Sequence, residues 1–188
     1  EMKRRWPGLR GFWAGLVLAL ATLAPVASAQ PLNPFGDWVA VVVAADYRDH
    51  DGRSIKVFDN ARIDMVKALI GVGFSPSRIA QFSVRPQLFD DMPHPVDPPI
   101  GLYDALYSLT RSSSGGCLLY LTSHGGPDGV VYGKRTLTPA DLDGVLDRTC
   151  AERPTVAIIS ACFSGVFIPA LAGPNRMVVT AARADRAS

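Results

Sequence analysis

The sequence predicts an α/β fold of three layers, in which a mostly parallel sheet is covered by helices on both faces. Apolar runs of strand length alternate with amphipathic stretches of helical period, and this β-α-β order gives a parallel sheet. Several runs are apolar without interruption, as in strands buried on both faces. The 188 residues are enough for about one domain, and 48% hydrophobic against 19% charged residues is typical of a packed core.

Five strands and four helices are expected in chain order. The strands are residues 38–45, 79–84, 117–122, 155–160 and 176–180, and the helices are 58–72, 102–111, one beginning at Thr138, and a short one just after Cys162 that Pro169 limits. Residues 85–99 are expected to form an exposed, proline-containing loop, and 130–132 a short hairpin arm. Right-handed crossovers place the carboxyl ends of all five strands at one edge of the sheet.

Two of the helices carry clear local signals. In the first, apolar residues recur at spacings of three and four, which predicts the face packed on the sheet: Phe58, Ala61, Met65, Val66 and Leu69. The third begins with Thr138, Pro139 and Asp141, a typical helix start because threonine caps, proline fits the first turn and the carboxylate suits the helix dipole.

Residues 1–29 have the pattern of a secretory signal peptide. A basic start precedes the apolar stretch Phe12–Leu23, which is too short for an ordinary membrane span, and Ala27-Ser28-Ala29 fits a cleavage site. We therefore expect cleavage near Ala29, a mature domain over residues 30–188, a periplasmic or secreted location and no stable membrane anchor. An uncleaved N-terminal anchor is the alternative.

Charge argues against a nucleic-acid partner. Without residues 1–29, the chain keeps 15 basic and 16 acidic side chains, a net charge of −1. No basic patch of the kind that binds nucleic acid remains.

Export would place the three cysteines in an oxidising compartment, where two of them can pair. Cys117 begins one expected strand and Cys150 ends the helix that leads into the next, so both lie at the amino-terminal edge of the sheet. A disulfide between them is expected, with two buried thiols as the alternative. Cys162 then remains, at the opposite edge.

Two strand ends carry the residues for nucleophilic catalysis. His124 and Cys162 each follow an apolar strand and are flanked by small residues. The imidazole can take the thiol proton and return it to a leaving amine, while the backbone N–H groups of Gly125 and Cys162 can hold an oxyanion. A helix starting after Cys162 would favour the thiolate through its dipole. A buried structural cysteine and a solvated loop histidine are the alternatives.

Two other chemistries are excluded by chain order and spacing. Residues 160–164 look like the nucleophile elbow of an α/β-hydrolase, but that fold needs a histidine after the nucleophile, and none follows Cys162. His50, His94 and His124 show no metal-ligand spacing, so no metal and no cofactor is expected.

The segments Ser123-His124-Gly125 and Ser160-Ala161-Cys162-Phe163-Ser164-Gly165 resemble the legumain-like cysteine peptidases. That family shares the caspase/gingipain-type (caspase-hemoglobinase) fold, with a catalytic His-Gly on one strand and an Ala-Cys on the next. The resemblance covers roughly Trp38 to Ser188 and is to an exported bacterial member. Asp46-Tyr47-Arg48 is similar to the family's Asn-Tyr-Arg segment, and Thr180-Ala181-Ala182 with Ala187-Ser188 is similar to its Thr-Ala-Ala…Ser-Ser pocket segment.

The resemblance implies a cysteine-type endopeptidase that hydrolyses peptide bonds through a thioester acyl-enzyme, with Cys162 as nucleophile and His124 as general base. Asp46 stands where legumains carry an asparagine that orients the histidine. Protein or peptide substrates are the implied partners. A transamidase of the same fold and a catalytically silent caspase-like binding module are the alternatives.

The substrate pocket is implied in the same way. It would be lined by Arg48, Ser160, Ala182 and Ser188. An arginine at position 48 suits Asp or Asn before the cleaved bond. Ser160 replaces an acidic residue of the legumains. Because family domains run further, we expect the peptidase domain to continue beyond Ser188.

Overall fold

The centre of the protein is a six-stranded sheet in which every neighbouring pair of strands is parallel. The computed structural model describes residues 33–91, 93–96 and 100–187. The expected signal segment, its cleavage site near Ala29, the pocket residue Ser188 and part of the 85–99 loop lie outside these residues.

The described strands are β1 (Val39–Ala44), β2 (Ile79–Ser83), β3 (His94–Pro95), β4 (Cys117–Thr122), β5 (Gly125–Gly126), β6 (Gly129–Tyr132), β7 (Arg135–Leu137), β8 (Thr155–Ser160) and β9 (Arg176–Thr180). The described α-helices are α1 (Val57–Gly71), α2 (Ile100–Arg111), α3 (Pro139–Thr149) and α4 (Ile168–Leu171). The main sheet has the order β3-β2-β1-β4-β8-β9, and β5, β6 and β7 form a small antiparallel sheet beside it. None of the helices in this part of the chain is long and apolar enough to cross a membrane.

Both faces of the main sheet are covered. Along β1, Val39, Val41 and Val43 point into one core, whereas Ala40 and Val42 point into another. The first core is closed by α2 and α3, and the second by α1, whose expected apolar stripe packs there through Ala61, Met65, Val66 and Leu69. Because β1 is buried on both faces, its sequence lacks polar alternation.

Three local features differ from the sequence-based expectation. The loop at 85–99 is not wholly exposed, because His94 and Pro95 pair with the end of β2 and Val96 is buried. Proline is tolerated there because β3 is an edge strand. The hairpin arm at 130–132 belongs to a three-stranded sheet. The helix after Cys162 begins late, and Pro169 lies in its first turn instead of limiting it.

A disulfide joins Cys117, at the start of β4, to Cys150, at the end of α3. Their Cα atoms are 6.1 Å apart. Both residues are fully buried at the amino-terminal edge of the sheet. At the start of α3, the Thr138 side chain accepts from the Asp141 N–H, and the Asp141 carboxylate accepts from the Thr138 N–H. This reciprocal cap gives the helix that carries Cys150 a fixed beginning.

Candidate active site

The carboxyl ends of β4 and β8 bring His124 and Cys162 to one cavity. In the parallel register Thr122 pairs with Ser160, so each reactive residue lies two positions beyond a paired one. Both line a cavity of about 430 Å³, whose other wall comes from the β1–α1 loop (residues 45–56) and the start of α1. A larger cavity of about 520 Å³ lies between α2, α3 and the β6–β7 hairpin but contains neither cysteine nor histidine.

The imidazole of His124 is held by a backbone carbonyl. Its Nε2 lies 2.8 Å from the carbonyl oxygen of Arg48. A carbonyl oxygen can only accept, so Nε2 carries the ring proton in this contact and Nδ1 is left to accept one. The ring also lies between Phe58, which meets it edge-on at 5.1 Å between centroids, and His50 at 4.7 Å. These contacts fix the orientation of the ring.

Asp46 does not make the expected contact with His124. No hydrogen bond or ion pair joins the two within the described residues. The buried Asp46 carboxylate instead accepts from the N–H groups of Tyr47, at 2.7 Å, and Arg48, at 3.3 Å, and from Arg48 Nε at 3.2 Å. The reason is local: the next two amides and the Arg48 guanidinium all donate to Oδ1 of this carboxylate. Asp46 therefore holds the backbone that presents the Arg48 carbonyl, and that carbonyl holds the histidine.

Arg48 lies beside the Cys162 cavity without lining it. Its side chain is 44% exposed, its Nε is engaged by Asp46, and its guanidinium lies 5.5 Å from the centroid of the Tyr47 ring. The polar cavity residues from the same loop are Asp49 and His50, which sequence reasoning missed. Their only signal was position, since they directly follow Asp46-Tyr47-Arg48.

Asp49 brings a negative charge to the cavity wall. Its carboxylate accepts from Arg53 Nε at 2.8 Å, and from the N–H groups of Arg53 at 2.8 Å and Asp51 at 3.0 Å. The hydrogen bond from the Arg53 side chain is the largest cause that lowers the pKa of Asp49 below its ordinary value. The carboxylate is therefore ionised at neutral pH and stays tied to its own loop.

Gly125 is required where the two strand ends approach. A Cβ at this position would collide with the carbonyl oxygen of Cys162. Any side chain at 125 would push β8 away from β4 and separate the two reactive residues. By contrast, a Cβ at Gly126 would meet no atom within 4 Å.

The turn after Cys162 is fixed to the C-terminal segment. Phe163 is left-handed, with φ 56°, and its N–H donates to the carbonyl of Arg186 at 2.9 Å. The Gly165 N–H donates to the carbonyl of Ala182 at 2.9 Å. The left-handed residue also explains the late helix, because it leaves a 3₁₀ turn at Ser164–Phe167 and only four α-helical residues from Ile168. A helix dipole is thus a weak influence on the thiol.

Two of the remaining expected pocket residues line different cavities. Ser160 is half-buried and lines the cavity with Cys162. Ala182 is half-buried too, but it lines a neighbouring cavity of about 730 Å³ next to Gly165 and α4. Its N–H donates to Ser164 Oγ at 3.0 Å. Ser188 is not described. Within residues 33–91, 93–96 and 100–187, no group of His, Cys, Asp and Glu could hold a metal ion.

This chain is similar to known proteins in sequence and in fold. Residues 108–188, which include His124 and Cys162, match the model of the Peptidase C13 family, the legumain family. The crystal structure of caspase-1 from Spodoptera frugiperda is similar with a TM-score of 0.50 and 16% identity, over 74% of this chain and 54% of that one. The chain thus spans about half the length of that caspase. No curated protein matches it.

These findings confirm two of the sequence-based expectations. The caspase-like fold, with a mostly parallel sheet between helical layers, is confirmed. The resemblance to legumain-like cysteine peptidases is confirmed as well.

Proposed function

We propose that this legumain-like chain is an endopeptidase that cleaves protein or peptide substrates through a dyad of Cys162 and His124. The observation that carries the proposal is their meeting in one cavity, at the carboxyl ends of two paired strands. The Arg48 carbonyl on Nε2 of His124 supports it further, because it leaves Nδ1 to act as the base.

In the proposed reaction, the Cys162 thiol gives its proton to Nδ1 of His124 and the sulfur attacks the substrate carbonyl carbon. The backbone N–H groups of Gly125 and Cys162 stabilise the oxyanion. The C–N bond then breaks, and the imidazolium donates its proton to the leaving amine. Water, deprotonated by His124, attacks the thioester; the C–S bond breaks, a carboxylic acid is released and the thiol takes up the proton.

We propose a preference for Asp or Asn before the cleaved bond, with Arg48 as its determinant. The support is that Arg48 is 44% exposed beside the cavity and that, among the residues that the structure describes, its side chain makes a polar contact through Nε only. The Nη atoms can receive a carboxylate or a carboxamide oxygen. Ser160 lines the cavity beside Cys162.

The test is covalent labelling with an acyloxymethyl ketone or aza-peptide probe that carries Asp or Asn. The unaltered protein should be labelled on Cys162, whereas Cys162→Ala and His124→Ala should not react. His94→Ala is the matched control, because His94 is an exposed histidine on the remote strand β3 and should label normally. An unaltered, folded protein that no probe labels would refute the proposal.

A peptide-library digest with and without an added amine completes the test. Cleavage after Asp or Asn that falls at least about tenfold in Arg48→Ala would support the proposed pocket. Amide products instead of acids would identify the transamidase alternative, since both reactions share the thioester.

We also propose that the protein is exported. The support is the buried Cys117–Cys150 disulfide, because disulfides persist in oxidising compartments. Mass spectrometry of the secreted or periplasmic protein should find an N-terminus near Gln30. An intact N-terminus in a cytoplasmic fraction would contradict this.

A further inference from the structure

A largely buried arginine, Arg85, lies behind the loop that holds His124. Arg85 follows β2 by two residues, at the same edge of the sheet as the active site, and its N–H donates to Ser83 Oγ at 3.0 Å. Only 14% of its side chain is exposed. None of the proposed catalytic steps uses it.

The two halves of the β1–α1 loop are joined by backbone hydrogen bonds, so that a shift of residues 53–55 also shifts residues 47–49. The Ile55 N–H donates to the Tyr47 carbonyl at 2.8 Å, and the Asp49 N–H donates to the Arg53 carbonyl at 2.9 Å. Between these bonds, Arg48 and Ser54 form an antiparallel bridge. Ser54 therefore lies directly beside the residue whose carbonyl meets His124.

Arg85 contacts this loop at three residues. Its Nη1 donates to Ser54 Oγ, its Nη2 donates to the Ile55 carbonyl at 2.6 Å, and its guanidinium lies 4.7 Å from the centroid of the Tyr47 ring. A planar guanidinium can hold two acceptors and an aromatic face together, which an ammonium cannot. The loop is thereby fixed to the end of β2.

The positive charge of Arg85 lies near a buried carboxylate. Its Nη2 lies 3.9 Å from Oδ2 of Asp59 on α1, a carboxylate with 1% exposure. Asp59 keeps a second cationic partner, because the buried Arg62 approaches its Oδ1 at 3.4 Å. Loss of Arg85 would consequently leave Asp59 paired, and its main effect would fall on the loop.

We propose that Arg85 is a positioning residue that fixes the Arg48 carbonyl and, through it, the tautomer and orientation of the His124 ring. The chain of contacts runs from Arg85 to Ser54, from Ser54 to Arg48, and from the Arg48 carbonyl to Nε2 of His124. Its effect on catalysis rests on the function proposed above, whereas its effect on the ring does not.

The test compares Arg85→Ala with Arg78→Ala. Arg78 lies at the opposite end of β2, where it too pairs with a carboxylate and donates to a backbone carbonyl, so the two variants remove similar contacts. Ring ¹⁵N resonances of labelled histidine report the tautomer. The unaltered protein and Arg78→Ala should show His124 protonated on Nε2, and Arg85→Ala should show a mixture of tautomers.

Catalysis provides the second measurement. In Arg85→Ala, kcat should fall by about tenfold to a hundredfold because the base is misplaced, and KM should rise as well because Arg48 lies in the same loop. Arg85→Lys should recover only part of the loss. If Arg85→Ala does not fold, Ser54→Ala replaces it, since it removes only the Nη1 contact and should shift tautomer and kcat in the same direction.

Two results would overturn the proposal. One is a folded Arg85→Ala (or Ser54→Ala) with the tautomer and kcat of the unaltered protein. The other is an equal tautomer change in Arg78→Ala, which would indicate general loosening of the fold. An unaltered protein that cleaves no peptide would instead refute the proposed function, and the resonances would still decide the role of Arg85.

Discussion

Removing the Cys117–Cys150 disulfide should cost a large part of the stability of the protein. The two half-cystines are separated by 33 residues, and both are fully buried. Closing a loop of that length in the unfolded chain removes entropy worth about 3.7 kcal/mol at 25 °C. A domain of this size is stable by only about 5–15 kcal/mol, so the loss should lower Tm by roughly 7–15 °C.

The assay is equilibrium urea unfolding of Cys117→Ala/Cys150→Ala. Alanine suits the site better than serine, because a hydroxyl without a partner in this core would add its own penalty. All proteins should carry Cys162→Ala, which prevents thiol exchange and self-cleavage. The slope of free energy against urea should increase in the double variant, since its unfolded chain exposes more surface.

Reduction gives an internal check on the cause. Dithiothreitol should lower the stability of the disulfide-bonded protein towards that of the double variant and leave the double variant unchanged. A loss below about 1 kcal/mol would refute the loop-entropy reasoning for this fold. So would an equal effect of dithiothreitol on both proteins.

Three further predictions follow from other sites. Gly125→Ala should reduce kcat/KM at least about a hundredfold, because its Cβ collides with the Cys162 carbonyl. Gly126→Ala is the control and should leave kcat/KM unchanged, because its Cβ would meet no atom within 4 Å. Equal effects of the two substitutions would contradict this prediction. Asp37→Asn should lower Tm at neutral pH. The hydrogen bond from Ser114 lowers the pKa of Asp37 in the folded state, so the stability that this carboxylate contributes is lost as pH falls through the folded pKa, and the two melting curves should converge in acid. A gap that widens in acid would contradict that sign. Arg62→Met should cost about 3–5 kcal/mol in urea unfolding, because it takes a fully buried cation from Asp59 and Asp91; a loss under about 1 kcal/mol would show that the pairing is compensated.

The sheet could be predicted because two of its central strands, β1 and β4, are buried on both faces. A run such as Val39–Ala44 has no polar alternation, and in a chain with intervening amphipathic helices this pattern indicates a central parallel strand. The position of the reactive residues followed from the same rule, since His124 and Cys162 come directly after two such runs. Neighbouring parallel strands then bring their carboxyl ends together.

The supporting contacts of the site could not be predicted in the same way. His124 is held by the carbonyl of Arg48, and every residue has a carbonyl, so no side-chain type indicates the contact. The hydrogen bonds that Asp46 accepts from its own neighbours depend on the loop backbone. Phe163 adopts the left-handed conformation, which is uncommon for residues other than glycine, so its sequence did not indicate it. Arg85 and Arg62 are buried arginines, and arginine normally predicts surface.

The position of β1 in the sheet has a consequence for how the protein is made. β1 is synthesised before both of its neighbours, β2 and β4, and its partner residues on β4 are made 78 residues later. At about 5–20 residues per second, the segment Val39–Ala44 waits roughly 4–16 s for that neighbour. During this time an uncharged, valine-rich hexapeptide of high β-propensity lacks the partner that buries it, and it is therefore prone to intermolecular pairing. A central strand of the finished sheet is therefore a segment that the nascent chain needs to have shielded.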